Sequence, residues 1–247
     1  MISIPAISKT VPGIIAALVM MAPATSAAEL AAGFDEALSA DGRPAEDKVR
    51  DAARQPRAVL EFLGIGSGMT VLDVLASTGW YTEVLSAAVG VDGVVIAFNT
   101  VGRRDRSEAA ITARAERLGN IEPVFAEVGS LDVGMEVDAA ITALNLHDLN
   151  NRGGEAVQLF LGDVMKALKP GGVFGVIDHE GIDGQDNQAL HRMEVAAAVE
   201  ALEMAGFVVE EVSNVLDNPS DDHTLQIWNE ALGRNTDRFL IRARKPE

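Results

Sequence analysis

The stretch Val71–Leu85, VLDVLASTGWYTEVL, decides the fold. Its first residues form a short Val/Leu run suited to a buried strand. Ala76–Gly79 are small residues that make a turn, and the segment from Trp80 onward reads as the first turns of a helix. Strand, turn and helix in that order is the unit from which α/β enzymes build nucleotide pockets, with the ligand at the helix amino terminus. The turn holds only one glycine, Gly79. A dinucleotide fingerprint asks for G-x-G-x-x-G and a P-loop for a lysine after its glycines, and neither is present. A ligand without a pyrophosphate asks for a bend, one close backbone approach and an acidic group, which Asp73, Ser77 and Gly79 supply.

Outward from this unit the same alternation repeats. Short Val-, Ile- and Ala-rich runs predict strands at Thr70–Val74, Val94–Phe98, Glu122–Phe125, Asp138–Ala143, Val173–Ile177, Val208–Val212 and Arg238–Arg242. Longer amphipathic segments predict helices at Tyr81–Ala88, Ser107–Leu118, Gly154–Leu168 and Gln188–Ala205. That is the pattern of a parallel sheet covered by helices on both faces. Over twenty residues separate the last two strands, far more than adjacent antiparallel strands need. A lid or binding loop with a short helix around LQIWNEAL is expected there, with Trp228 as its apolar anchor. Ahead of the sheet, residues 28–62 read as a helical segment and residues 63–247 as one α/β domain.

The chain has 247 residues and carries 37 acidic against 20 basic side chains, a formal charge of −17. So acidic a protein repels phosphate backbones and anionic lipid, which leaves a small molecule as the expected partner. The nearest thing to a basic patch, VGRRDR around Arg103, is too short to count. With no cysteine, disulfides, thiolate metal sites and cysteine nucleophiles are excluded. Residues 1–27 combine Lys9, an apolar run from Val11 to Ala22 and the small residues of PATSAAEL. The run is shorter than the roughly 20 residues needed to span a bilayer, so a cleaved secretory signal is expected. A periplasmic or secreted protein with no membrane anchor after cleavage follows from it.

The segment DVLASTG, with an acidic residue followed by a glycine turn, resembles the first motif of the class I S-adenosylmethionine-dependent methyltransferases. Leu75 and Ser77 stand where that family usually has glycine. The stretches FLGIGSGMTVLD, LNLHDL, LKPGGVFGVIDHEG, LHRM, NPSDDHT and TDRFLIRARKP extend the resemblance over roughly residues 45–246, toward a subgroup of predicted exported methyltransferases. The resemblance implies a Rossmann-like seven-stranded sheet of order 3-2-1-4-5-7-6 with strand seven antiparallel. It also implies S-adenosylmethionine over the carboxyl ends of strands one, two and four, against Asp73, Ala76, Ser77, Gly79, Trp80, Asn99 and Asn145. Asn99 occupies the place where such enzymes carry an acid for the ribose hydroxyls. An amide still bonds a hydroxyl, but accepts less strongly than a carboxylate.

All four histidines fall on the carboxyl edge of this sheet, where open α/β folds bind ligands. His147 follows strand four, His179 ends strand five, His191 leads into the next helix and His223 sits in the long loop. Because strands four and five are neighbours, His147, Asp148, Asp178 and His179 are expected to converge. His147 or His179, oriented by Asp148 or Asp178, then acts as general base. The ordinary alternative for each histidine is a capped or ion-paired surface group, and for Asp221–Asp222 a helix cap. Three functions remain open on these grounds: a methyltransferase for a small molecule, a binding protein that kept the pocket without turnover, and a metal-dependent protein using His and Asp. The histidine spacing matches no established metal motif.

Overall fold

The structure, a computed structural model, describes residues 28–247; the expected signal segment lies outside them. Four short helices come first: α1 (Phe34–Ser39), α2 (Ala45–Lys48), α3 (Asp51–Arg54) and α4 (Pro56–Leu63). Then follow β1 (Thr70–Val74), α5 (Trp80–Val89), β2 (Val94–Thr100), α6 (Arg104–Leu118), β3 (Ile121–Ala126) and β4 (Val137–Ala143). The second half contains α7 (Leu146–Asn151), α8 (Gly154–Ala167), β5 (Leu168–His179), α9 (Asn187–Leu190), α10 (Val195–Met204), β6 (Val208–Ser213) and β7 (Arg238–Arg244).

The strands form one seven-stranded sheet of order β3-β2-β1-β4-β5-β7-β6. Every pairing is parallel except those of β7, which runs antiparallel to β5 and β6. Alternate residues of the central strands serve opposite faces. Leu72, Val74, Ile96 and Phe98 join the core under α8 and α10, while Val71, Val95 and Ala97 join the core under α4 and α5. Burial on both faces is why these strands read as continuous apolar runs rather than alternating ones. The registers Val74↔Phe98, Val74↔Thr142 and Thr142↔Val176 bring the ends of β1, β2, β4 and β5 level. The residues just beyond them therefore meet along one edge.

Two expectations about the connections are corrected. The helix expected over Gln188–Ala205 is broken into α9 and α10, because His191 takes a left-handed φ of 55° and Arg192 turns fully inward. The Arg192 guanidinium donates to Asp221 (2.9 Å), to the Leu225 carbonyl and to the Glu180 carbonyl, and this inward pull is what ends the helix. The loop after β6 holds no α-helix at LQIWNEAL, only a single 3₁₀ turn at Glu230–Leu232. Side chains fix it instead. Asp237 accepts from His223 Nε2 (2.9 Å) and from the Asn218 backbone N–H (2.7 Å), and Asp221 accepts from the backbone N–H groups of His223 and Asp237. Asp221 therefore caps no helix; it is a buried partner of Arg192.

The leading helices belong to the same body. Phe34, Val59, Leu60 and Leu63 lie in the core beneath α5. Arg114 of α6 pairs with Asp47 (2.5 Å) and Glu83, and the Trp80 indole N–H donates to the Asp47 carbonyl (3.0 Å). The helices of residues 34–63 thus close over the carboxyl edge beside the first turn.

Candidate functional site

The turn after β1 carries left-handed backbone at alternate positions: φ is 61° at Leu75, 55° at Ser77 and 90° at Gly79. L-residues adopt this region at a cost of roughly 1–2 kcal/mol each, so the turn keeps a glycine-type path without its glycines. Its neighbours hold it there. The Asn99 side chain accepts from the Ser77 N–H (2.8 Å) and donates to the Ser77 carbonyl (3.0 Å), and Arg114 Nε donates to the Thr78 carbonyl (2.9 Å). Asn99 is fully buried and both its polar ends are engaged, so it is the clamp of the turn. Gly79 is required for a different contact from the one its motif implies. A Cβ there would lie 2.8 Å from Ile111 Cδ1 and 2.9 Å from Arg114 Cδ, so its bare Cα lets α6 approach. Asn99 and Gly79 build the turn from behind and do not line the cleft in front of it.

That cleft has two lobes. One, of 230 Å³, is lined by Asp73, Ala76, Ser77, Trp80, Tyr81, Asn145, Arg50 and Arg54. The other, of 260 Å³, is lined by Thr100, Gly102, Val128, Asp148, Leu149 and Arg152. Leu75, Arg103 and Asn145 border both lobes. Two larger hollows lie at Ala28–Glu36 and beside Gly171 and Arg244, and neither gathers a histidine or a buried carboxyl.

Asp73, at the end of β1, is buried and accepts from Thr82 Oγ1 at 2.5 Å. Burial raises its pKa to about 7, against the Thr82 hydrogen bonds and the nearby Arg54 charge. Arg54 lies over the Trp80 ring, 4.6 Å from its centroid, and burial lowers its pKa to about 10. Among the described residues no carboxylate lies within 4 Å of the guanidinium of Arg54, Arg103 or Arg152, and Arg50 reaches Asp47 only at 3.9 Å. In a chain of net charge −17, four arginines around one cleft mark a site for an anionic group. Little in the linear pattern singles these residues out; Arg50 and Arg54 recur at helical spacing, but only the fold turns them toward β1.

On the other side of the cleft α7, a helix not foreseen, carries His147 and Asp148 in its first turn. His147 Nδ1 bonds Asp178 Oδ1 at 2.7 Å, and the other Asp178 oxygen accepts the His147 backbone N–H at 2.8 Å. Asp178 is fully buried and also accepts from the His179 N–H. Burial works against charge on His147, but the Asp178 hydrogen bond and the Asp178 and Asp148 charges outweigh it and raise the imidazole pKa above 6.5. Its Nε2 lies 3.4 Å from Asp148 Oδ1, which is 3.2 Å from His191 Nδ1.

His179 is placed differently. It bonds Thr236 Oγ1 through Nδ1 (2.6 Å), and burial with Arg238 and His147 nearby pushes its pKa well down, so it is neutral. His223 is spent on Asp237 in the loop clamp. Trp228 is exposed rather than anchored in the core, and its ring sits 4.2 Å from that of His191.

No family model matches the sequence, and no curated protein matches it. Solved structures do. A SAM-dependent methyltransferase from Aquifex aeolicus is 23% identical with a TM-score of 0.58, over 82% of this chain and 98% of that one. The chain has the class I methyltransferase fold. The [4+2]-cyclase SpnF shares that fold at 18% identity, TM-score 0.60 and 84% coverage of both chains. So does the fibrillarin of Aeropyrum pernix, solved with natively bound S-adenosyl-L-methionine, at 14% identity and TM-score 0.53, over 78% of this chain and 76% of that one. In this class I methyltransferase fold the two-lobed cleft lies over the carboxyl ends of β1, β2 and β4.

Proposed function

We propose that the protein is an S-adenosylmethionine-dependent methyltransferase acting on a small molecule outside the cytoplasm. One observation carries the reading: the cleft before the β1 turn pairs a buried Asp73 with an Arg54 that has no carboxylate partner. S-adenosylmethionine has a carboxylate, an ammonium group, two ribose hydroxyls and an apolar purine, and the cleft offers a match to most of these. Arg54 and Arg50 suit the carboxylate, Asp73 and the backbone of Ala76–Thr78 suit the ammonium end, and Val128 and Leu149 suit the purine. Asn145, bordering both lobes, offers its Oδ1 to a ribose hydroxyl while its Nδ2 donates to the Ala143 carbonyl (2.8 Å); Asn99 is committed to Ser77. Bound there, the cofactor supplies an electrophilic methyl group. The chain aligns the acceptor against it and excludes water, which is most of what methyl transfer needs. His147, made more basic by Asp178, is buried behind the cleft-lining Asp148, and a proton from an acceptor hydroxyl or amine reaches it through that carboxylate.

Calorimetry with S-adenosylmethionine and with its demethylated product tests this reading. The expected result is stoichiometric heat for both, at least tenfold weaker in Arg54→Ala. Leu75→Gly removes an apolar side chain at a position bordering both lobes, each smaller than the roughly 300 Å³ of an ordinary ligand site, and is expected to tighten binding. No heat at millimolar ligand from either protein would end the proposal. The fold shared with SpnF supports a second reading, a reaction other than methyl transfer in the same cleft, which predicts cofactor binding without methylated product.

A further inference from the structure

We infer that His147, Asp148 and His191 form a divalent metal site at the mouth of the cleft. The inference rests on side-chain geometry and holds whether or not the protein transfers a methyl group.

The three residues reach one point from two separate elements. His147 and Asp148 come from the first turn of α7, directly after β4, and His191 from the break between α9 and α10. His191 holds a left-handed φ of 55°, and the break delivers its ring to Asp148. One ligand atom from each residue lies within 4.8 Å of the other two. Asp148 Oδ1 is 3.4 Å from His147 Nε2 and 3.2 Å from His191 Nδ1. Ligand atoms about 2.0–2.1 Å from a tetrahedral ion stand roughly 3.3–3.4 Å from one another, so both spacings are those of adjacent corners around one ion.

The hydrogen-bond network gives a second reason. Asp178 takes the backbone N–H groups of His147 and His179 and faces Nδ1 of His147, so the proton on that ring is assigned to Nδ1. With Nδ1 directed at Asp178, Nε2 is the ring atom turned toward the Asp148 carboxylate, 3.4 Å away, and so toward the same point as His191. A carboxylate behind a histidine is also the common outer partner of a metal-bound imidazole, fixing its tautomer and direction. Asp178 holds that position at 2.7 Å, and Trp228 backs the second imidazole with ring centroids 4.2 Å apart.

Two imidazoles and one carboxylate without sulfur suit Zn²⁺, and equally Co²⁺ as a spectroscopic substitute. Three protein ligands leave a fourth position for water or a ligand oxygen. Asp148 and Asn145 both line the adjoining 260 Å³ lobe, where such an oxygen belongs. With the ion held, His147 Nε2 is a ligand, and activation of an acceptor hydroxyl passes from the imidazole to the ion acting as a Lewis acid.

The test uses protein purified without a histidine tag and stripped with a chelator. Co²⁺ titration, followed by the visible bands of a low-symmetry cobalt site and by Zn²⁺ displacement, is expected to saturate at one equivalent. Asp148→Ala and His191→Gln are each expected to abolish the band. Asp178→Asn should weaken Zn²⁺ binding 10- to 100-fold. His223→Ala, which alters a histidine of the loop clamp, should bind as the parent does, with far-UV circular dichroism confirming that all variants are folded. No stoichiometric band in the parent, or an undiminished band in both Asp148→Ala and His191→Gln, overturns the inference. Neither result depends on S-adenosylmethionine, so the fate of the methyltransferase reading is decided separately by calorimetry.

Discussion

Arg192 and Asp221 make the sharpest stability test in the molecule, because both side chains are wholly excluded from water. The change to make is Arg192→Met, which keeps apolar length and deletes the charge. Asp221 would then sit buried with only the backbone N–H groups of His223 (3.0 Å) and Asp237 (2.7 Å) as partners. Breaking a buried pair from one side costs about 3–5 kcal/mol, since the remaining charge is left uncompensated. The carbonyls of Leu225 and Glu180 lose their donors as well, at about 1–3 kcal/mol for each that stays buried and unpaired. A loss of at least about 4 kcal/mol is expected, against a whole-domain stability of about 5–15 kcal/mol. Urea unfolding followed by far-UV circular dichroism gives the magnitude. Limited proteolysis then shows whether residues 214–237 detach first, since they are what the pair fastens. Asp221→Asn removes the opposite charge but keeps an acceptor, so the double variant should recover part of the loss, with a coupling of about 2 kcal/mol or more. Single changes that each cost under about 1 kcal/mol and add without coupling would refute the assignment of this pair as the loop's fastening.

Two further outcomes follow. Asp73 has a folded pKa of about 7 against 3.8 for the free side chain, so the folded state binds the extra proton. Its contribution to stability is complete below about 3.8 and is lost as pH rises toward about 7. Asp73→Asn should flatten that decline in urea midpoints measured from pH 4.5 to 8; a parent protein that gains on the variant as pH rises contradicts it. Gly79→Ala places a Cβ against Ile111 and against an Arg114 side chain already bonded to Thr78, Glu83 and Asp47. Left-handed strain and overpacking together should cost about 2–4 kcal/mol in the denaturation midpoint, and a loss under about 0.5 kcal/mol counts against the packing role.

The sheet was legible in the sequence because its signal is local. β1 begins and ends where expected, at Thr70 and Val74, and the other strands differ from their expected spans at their ends, β5 most, since it starts at Leu168 rather than Val173. Apolar runs between amphipathic helices follow from burial of both sheet faces, which requires no knowledge of distant residues. The His147–Asp178 meeting was legible for a related reason, since adjacent parallel strands bring their ends level.

What the sequence alone determined, then, is the order of strands and helices, the acidic surface, the absence of thiol chemistry and the edge on which the histidines gather. Tertiary structure decided which of those residues face a ligand and which hold the fold. Asn99 and Gly79 look like ligand contacts in a linear motif, but they support the turn from behind because Ser77 and α6 need partners there. His191 looked like part of a helix until Arg192, drawn inward by Asp221, broke it. Arg54 carried no mark in the chain; its role comes from α3 folding over β1, beside a carboxyl that burial keeps near neutrality. Such contacts join residues tens of positions apart, and the physics that selects them, desolvation and pairing of charge, operates only once the chain has closed on itself.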